Sequence, residues 1–410
     1  MGLATALFLL VAGLTGSVLA FYEDLDEVFA PSLYRAVAPS AEAQPLDAFT
    51  LRERALVQIP GAAITYLPLH VEPARNLSFF FRSADGGAPL EFDNVFIDPY
   101  TGDVAGIRKF GDLSEGVVNI IPFLYRLHYQ LALGTVGTVL MGLVALAWTL
   151  DCFIGLYLTF PLRIKRKGME RRPPRRALAS WLKRWRPAWA VRWPSTSYKL
   201  NVDLHRAGGL WIWAMLLVLA WSGVAFNLRE EAYDPVMGLV FEMESATDSI
   251  PALPAPLYEP PIGFRDAAAI GATLASRQTR QHDLEAGDGY ALYYHAGKGV
   301  YHYTFASRAD IRDDPSSRVM FSARDGSFAG LALPNRESAG NQITTWILAL
   351  HTAEVGGLAM QIFICALGLV VALLSVTGIV IWWKKRSARA QRRVRPARQA
   401  PVAAERRETA

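Results

Sequence analysis

Four apolar stretches, each close to the length that crosses a lipid bilayer, constrain this 410-residue chain more than any other feature. They occupy residues 1–20, 131–160, 208–228 and 355–383; the first carries no charge and the second only Asp151. Each reaches the ~20 residues that span a ~30 Å hydrocarbon core. Four such runs with polar flanks do not read as the buried core of a soluble protein. The expected fold is an α-helical membrane protein with about four transmembrane helices and two small α+β domains outside the bilayer.

Charge sets the orientation. Residues 161–206 hold 14 Lys and Arg against 2 acids, and 384–410 hold 10 against 2. Residues 23–127 have 8 against 15, and 229–350 have 10 against 16. Basic loops stay on the cytoplasmic side, so the acidic segments face the periplasm of a bacterial inner membrane. The overall charge of +5 averages opposite surfaces and does not point to nucleic acid. The basic tail suits anionic lipid headgroups.

The resulting plan is helix 1 at 1–22, an outer domain at 23–127, helix 2 at 128–162 and a basic loop at 163–206. Helix 3 at 207–228, a second outer domain at 229–342, helix 4 with an outer extension at 343–383, and a basic tail at 384–410 complete it. Residues 1–20 read as an uncleaved helix, because a signal peptide would start with positive charge; the natural chain is expected to begin further upstream. Cys152 and Cys365 both lie in apolar blocks, at depths too different for a disulfide.

Within the outer segments, 47–59 predicts a helix, and 77–82 and 91–97 predict strands. The second segment repeats that order, with a helix at 265–276 and strands at 290–295, 299–305 and 319–322. FIDPYTGDVAG at 96–106 matches FSARDGSFAG at 321–330, which predicts an internal duplication. No Gly-rich phosphate loop, Walker sequence or G-x-S-x-G is present. The chain therefore carries no nucleotide or nicotinamide domain of its own.

Three histidines sit at ends of apolar blocks: His128, His205 and His351. A histidine there is commonly only a headgroup contact. His128 and His351, however, lie 35 and 33 residues from the basic inner ends at Arg163 and Lys384. In continuous helices both stand roughly 50 Å above those ends. Two neutral imidazoles at one height can share a haem iron or a metal ion. Gly134, Gly137, Gly356 and Gly357 nearby leave room for a macrocycle or for close helix packing. His205 lies at the cytoplasmic end without a histidine partner. His295 and His302 are a weak metal candidate on separate strands. Asp151 needs a partner such as Arg206, a wet cavity or the headgroup region.

With these motifs in hand, the chain resembles the PepSY-associated transmembrane family, which includes iron-regulated inner-membrane proteins and siderophore reductases. The similarity rests on LFLLVAGLTG at 7–16, FYEDLD at 21–26, DPYTGDVAG at 98–106 and LHYQLALGTVG at 127–137. It continues through LDCFIGLYLTFP at 150–161, NVDLHRAGGLW at 201–211, LHTAEVGGL at 350–358 and LLSVTGIVIWWKK at 373–385. The resemblance implies PepSY-like outer domains and an oxidoreductase holding one or two b-type haems. His128 and His351 become outer haem-iron ligands and His205 an inner one. Electrons would pass to a periplasmic ferric siderophore or another acceptor, from a quinol or a separate reductase. Relatives carry a basic, His-containing stretch before the first helix that this chain does not show, so an inner haem needs a further ligand. Two other readings stay open: a membrane-anchored regulator of a peptidase, or an accessory subunit of a siderophore transporter.

Overall fold

The computed structural model describes residues 2–87, 90–162, 174–244, 246–247 and 249–394. Part of the basic loop, 163–173, and the tail from 395 lie outside these. The chain opens with α1 (Gly2–Leu19) and α2 (Tyr22–Phe29), then a short α3 (Pro31–Tyr34), α4 (Ala48–Gln58), β1 (Ala62–Ile64) and β2 (Tyr66–Pro68). Next come β3 (Leu77–Ser83), β4 (Asn94–Ile97), β5 (Val104–Arg108), α5 (Ile120–Gln130) and α6 (Thr135–Thr159). The chain returns through α7 (Pro174–Trp185), α8 (Ser197–Trp211), α9 (Trp213–Asn227) and α10 (Asp234–Gly238). It closes with α11 (Phe264–Arg280), β6 (Gly289–His295), β7 (Val300–Phe305), β8 (Ser317–Ser322), β9 (Phe328–Ala332), α12 (Ala339–Thr352) and α13 (Gly357–Val394).

α6 and α13 are each long and apolar enough to cross a membrane. α1 with α2, and α8 with α9, qualify only as bent pairs, turning by 77° and 73°. The third apolar block is therefore not one straight rod: it breaks at Ile212, between α8 and α9. The helices bearing His128 and His351 are not continuous either. α5 gives way to α6 through Leu131, Ala132 and Gly134 at positive φ, and α12 to α13 through Ala353, Gly356 and Gly357. Both breaks fall just past the histidine, so the heights reckoned along straight helices do not carry over, and the reference end at Arg163 lies outside the described residues.

Small residues set the helix contacts. A Cβ on Gly13 would stand 2.7 Å from the Gly368 carbonyl, and one on Gly368 would stand 2.6 Å from the Gly13 carbonyl. Ser17 Oγ donates to the carbonyls of Gly13 and Cys365, both at 2.9 Å. Missing side chains thus let α1 and α13 approach backbone to backbone. α6 meets α9 similarly, with Ala145 Cβ 3.1 Å from a Cβ built on Gly223.

Outside the helices two antiparallel sheets form, ordered β1-β3-β4-β5 and β2-β6-β7-β8-β9. β2 belongs to the first segment but pairs with β6 of the second, Leu67 opposite Leu292. Alternation buries Phe79 and Phe81 and leaves Phe80 half exposed. Those rings join Leu51, Val95 and Ile97 in one core with Phe264, Leu292, Tyr301, Phe305 and Phe321. The two segments between the apolar helices therefore share a core. Asp47 caps α4 through the amides of Phe49 and Thr50, and its carboxylate also meets Arg265 at 3.0 Å.

The duplication is visible in backbone detail. Gly102 and Gly326 have φ of 73° and 74°. Each donates its amide to the residue four earlier, Asp98 or Ser322, at 2.9 Å. Both hairpins shift register just before the turn, at Phe96/Ile97 and at Met320/Phe321.

α2 is tied to the first sheet by a buried ion pair. Arg108 Nη1 and Nη2 reach the two Asp26 oxygens at 3.0 and 2.7 Å, and its Nε donates to Asn94 at 2.8 Å. Tyr34 donates to Asp26 at 2.6 Å, and burial followed by that carboxylate pushes its hydroxyl above the usual range.

Candidate functional site

His128 occupies the last turn of α5 and His351 the last turn of α12. The structure brings them together: their ring centroids lie 6.2 Å apart with planes at 84°. Nitrogen–metal bonds of about 2 Å, with each ring centre ~1.1 Å behind its nitrogen, put two in-line imidazoles on one metal about 6 Å apart, centre to centre. The spacing therefore fits a pair of axial ligands.

Hydrogen bonding fixes which nitrogen of each ring is available. Thr15 Oγ1 meets the Val11 carbonyl at 2.8 Å and His128 Nδ1 at 3.0 Å. Ser222 Oγ donates to the Leu219 carbonyl at 3.1 Å and meets His351 Nδ1 at 2.5 Å. With Nδ1 of each imidazole held by a hydroxyl, Nε2 is the ring nitrogen left for another partner. That is the arrangement of a ligand imidazole whose other nitrogen is oriented by a neighbour.

His205 follows the same rule at another level. Its Nδ1 meets the Leu374 carbonyl at 3.1 Å and Thr377 Oγ1 at 3.0 Å. A carbonyl only accepts, so in this ring the proton sits on Nδ1. Leu374 and Thr377 lie 17 and 20 residues beyond the start of α13, which is roughly 28 Å along that helix. His205 is thus not part of the His128–His351 cluster, and no second histidine ring contact is found for it among the described residues.

Each histidine faces a hydroxyl residue followed by glycine: Thr15-Gly16, Ser222-Gly223 and Thr377-Gly378. The glycine has a clear purpose in two of them. A Cβ on Gly16 would lie 3.0 Å from His128 Cε1, and one on Gly378 would lie 3.2 Å from His205 Cε1. Sequence reasoning missed these hydroxyls. The recurring Thr/Ser-Gly step inside apolar blocks was the signal that could have found them. The repeat places Ile154-Gly155 of α6 where α13 has Thr377-Gly378, so α6 offers no hydroxyl there.

Other candidates do not gather. Arg206 pairs with Asp203 at 2.9 Å and with the Ala188 carbonyl at 3.1 Å, not with Asp151. His295 and His302 both pack edge-on against Tyr293, at 6.3 and 5.7 Å. Among the described residues no group of three or more His, Cys, Asp or Glu side chains could hold a metal ion.

The family model described as PepSY-associated TM region matches residues 1–385. No curated protein matches the chain.

Proposed function

The chain belongs to the family of PepSY-associated transmembrane regions, and from that premise we propose that it is a haem-b-dependent inner-membrane reductase serving a periplasmic ferric siderophore. One observation carries the reading: two imidazoles from α5 and α12 at ligand spacing, 6.2 Å apart, each with Nδ1 held by a hydroxyl. His128 and His351 would hold the haem through Nε2, while Thr15 and Ser222 hold each ring at Nδ1. When bound, haem supplies the one-electron chemistry that no side chain here can provide.

The remaining parts follow from charge and chemistry. Four spans with the basic loop and C-terminus in the cytoplasm would place the sheet unit in the periplasm. Iron(III) is held tightly by hard oxygen donors, and reduction to iron(II) weakens that grip. The electron donor is then a quinol or a separate reductase. His205, oriented by Thr377 and Leu374, would be an inner ligand wherever a second axial group reaches it.

An optical spectrum of detergent-purified protein, oxidised and dithionite-reduced, tests this directly, together with a haem count. A sharp b-type reduced band, lost in His128→Ala and in His351→Ala, is the expected result. Absence of Soret absorption after expression with ample haem would sink the reductase, leaving a membrane-anchored regulator or a transporter accessory subunit.

A further inference from the structure

β1 and β2 are consecutive in the chain yet lie in different sheets, so the sheets part at Thr65. A cleft of about 690 Å³ opens in the fork, within the range of small-molecule sites. The first segment lines it with Arg52, Phe81, Arg82 and Lys109; the second contributes Tyr258, Phe264, Tyr293 and His295.

The lining is rich in donors. Arg52 is pre-positioned: its guanidinium lies 3.8 Å over the Phe264 ring, and Nε and Nη2 donate to the Ile64 carbonyl. Nη1 remains for something else. His295 Nδ1 accepts from the Lys298 amide at 3.2 Å, which leaves Nε2 for another partner. Among the described residues the Arg82 guanidinium and the hydroxyls of Tyr258 and Tyr293 have no hydrogen-bond partner. Asp93 is the one carboxylate among the described lining residues. It is already engaged by the Phe110 amide at 2.7 Å and by Lys109 at 3.7 Å.

This local character runs against its surroundings. The two outer segments carry net charges of −7 and −6, yet at their junction cations and donors converge beside aromatic faces. A solvated surface of acidic segments gives no reason for that concentration. We infer that the cleft binds a small organic anion: an acidic head met by Arg82 and Arg52 Nη1, and a flat apolar body against Tyr258 and Tyr293, while Lys109 is held by the Leu90 carbonyl at 2.8 Å and by Asp93.

The site does not rest on the haem reading. Phe110, next to Lys109, touches Phe80 at 5.5 Å and Tyr125 of α5 at 6.1 Å, and Tyr125 touches Tyr129 at 5.2 Å. Those ring contacts run from β3 to α5, the helix bearing His128, on the opposite face of β3 from the cleft.

The test is saturation-transfer NMR on the full chain in nanodiscs, with 2-naphthoate as the anionic probe and 2-naphthamide as its neutral match, empty nanodiscs subtracted. Naphthoate should bind at least tenfold more tightly than naphthamide. Arg82→Glu, at an exposed position, should weaken naphthoate at least fivefold, and Arg82→Lys should largely restore it. Equal signals from the two probes, an unchanged signal in Arg82→Glu, or no naphthoate transfer at millimolar concentration would each overturn the assignment.

Discussion

The carboxylate of Asp313, in the loop between β7 and β8, accepts the backbone amide of Gly357 at 2.8 Å, just past His351. It also accepts the Gly356 amide at 3.1 Å, while the Asp313 amide donates to the Glu354 carbonyl at 2.8 Å. Arg312 adds an ion pair to Glu354 at 2.7 Å. The second sheet thus clamps the turn that sets His351. The matching turn after His128 is closed by its own backbone instead, Ala132 N to Arg126 O and Leu133 N to Gln130 O.

That asymmetry predicts a local effect of Asp313→Ala. Losing a helix cap of this kind costs about 1 kcal/mol. Hydrogen exchange at residues 353–357 should speed up severalfold, with residues 131–134 unchanged. Equal acceleration of both turns would mean the clamp is not specific to the His351 side.

Much of the fold was legible because burial writes a period into the sequence. The helix read at 47–59 is α4, Ala48–Gln58, and the strand read at 77–82 is β3, Leu77–Ser83. The bend at Ile212 was not legible, since an apolar run looks alike whether straight or broken. Nor was the β2–β6 pairing, where Leu67 meets Leu292 across more than two hundred residues. His128 and His351 could be singled out together by distance to charged ends, although the straight helices that this reckoning assumes are broken. Their hydroxyl partners could not, because periodicity says nothing about which side chain faces which across helices.

The hydroxyl locks give a second prediction, resting on the proposed haem. Thr15→Val and Ser222→Ala keep the shape of each site but free Nδ1, so the rings lose the partner that orients them. Removing an orienting partner of this kind typically costs 10–100-fold in ligand affinity. Haem retention on dilution should fall in both variants. Thr377→Val, beside His205, should leave retention by the outer pair unchanged. If all three behaved alike, the hydroxyls would be serving general packing.

Gly368 supports a third. Any side chain there meets the Gly13 carbonyl at 2.6 Å, a backbone atom that cannot rotate away. Gly368→Ala must push α13 off α1, and overpacking of this kind costs about 1–3 kcal/mol. Thermal unfolding in detergent should shift down by several degrees. Gly155→Ala, with nothing within 4 Å of the new Cβ, is the control that should not move.

The Asp26–Arg108 pair is nearly free of solvent, with side-chain exposures of 0% and 2%. Stripping one partner leaves a buried charge uncompensated, at a cost of about 3–5 kcal/mol. Arg108→Met should therefore destabilise the first sheet more than Lys109→Met, whose ion pair with Asp93 at 3.7 Å is a third exposed. Limited proteolysis of residues 23–127 reads the difference, and equal resistance in the two variants would contradict it.

His302 makes the pH dependence specific. It lies on β7, 8% exposed, with no hydrogen-bond partner for Nε2. Burial first, then the positive charges of Arg318, His295 and Lys298, hold its pKa down to about 4 from 6.5. Between those values an unfolded His302 binds a proton that the folded one refuses. The unfolded state therefore takes up more protons, and stability falls as pH drops from about 6.5 toward 4. The loss for this one group is on the order of 1–3 kcal/mol. Carboxylates add their own acid sensitivity, so the informative quantity is the difference between wild type and His302→Leu. That difference should change by this amount between pH 7 and pH 4.5, with the variant falling less steeply. Parallel pH profiles would mean that His302 protonates in the folded sheet without resistance, and that the cations around it are better screened than their placement implies.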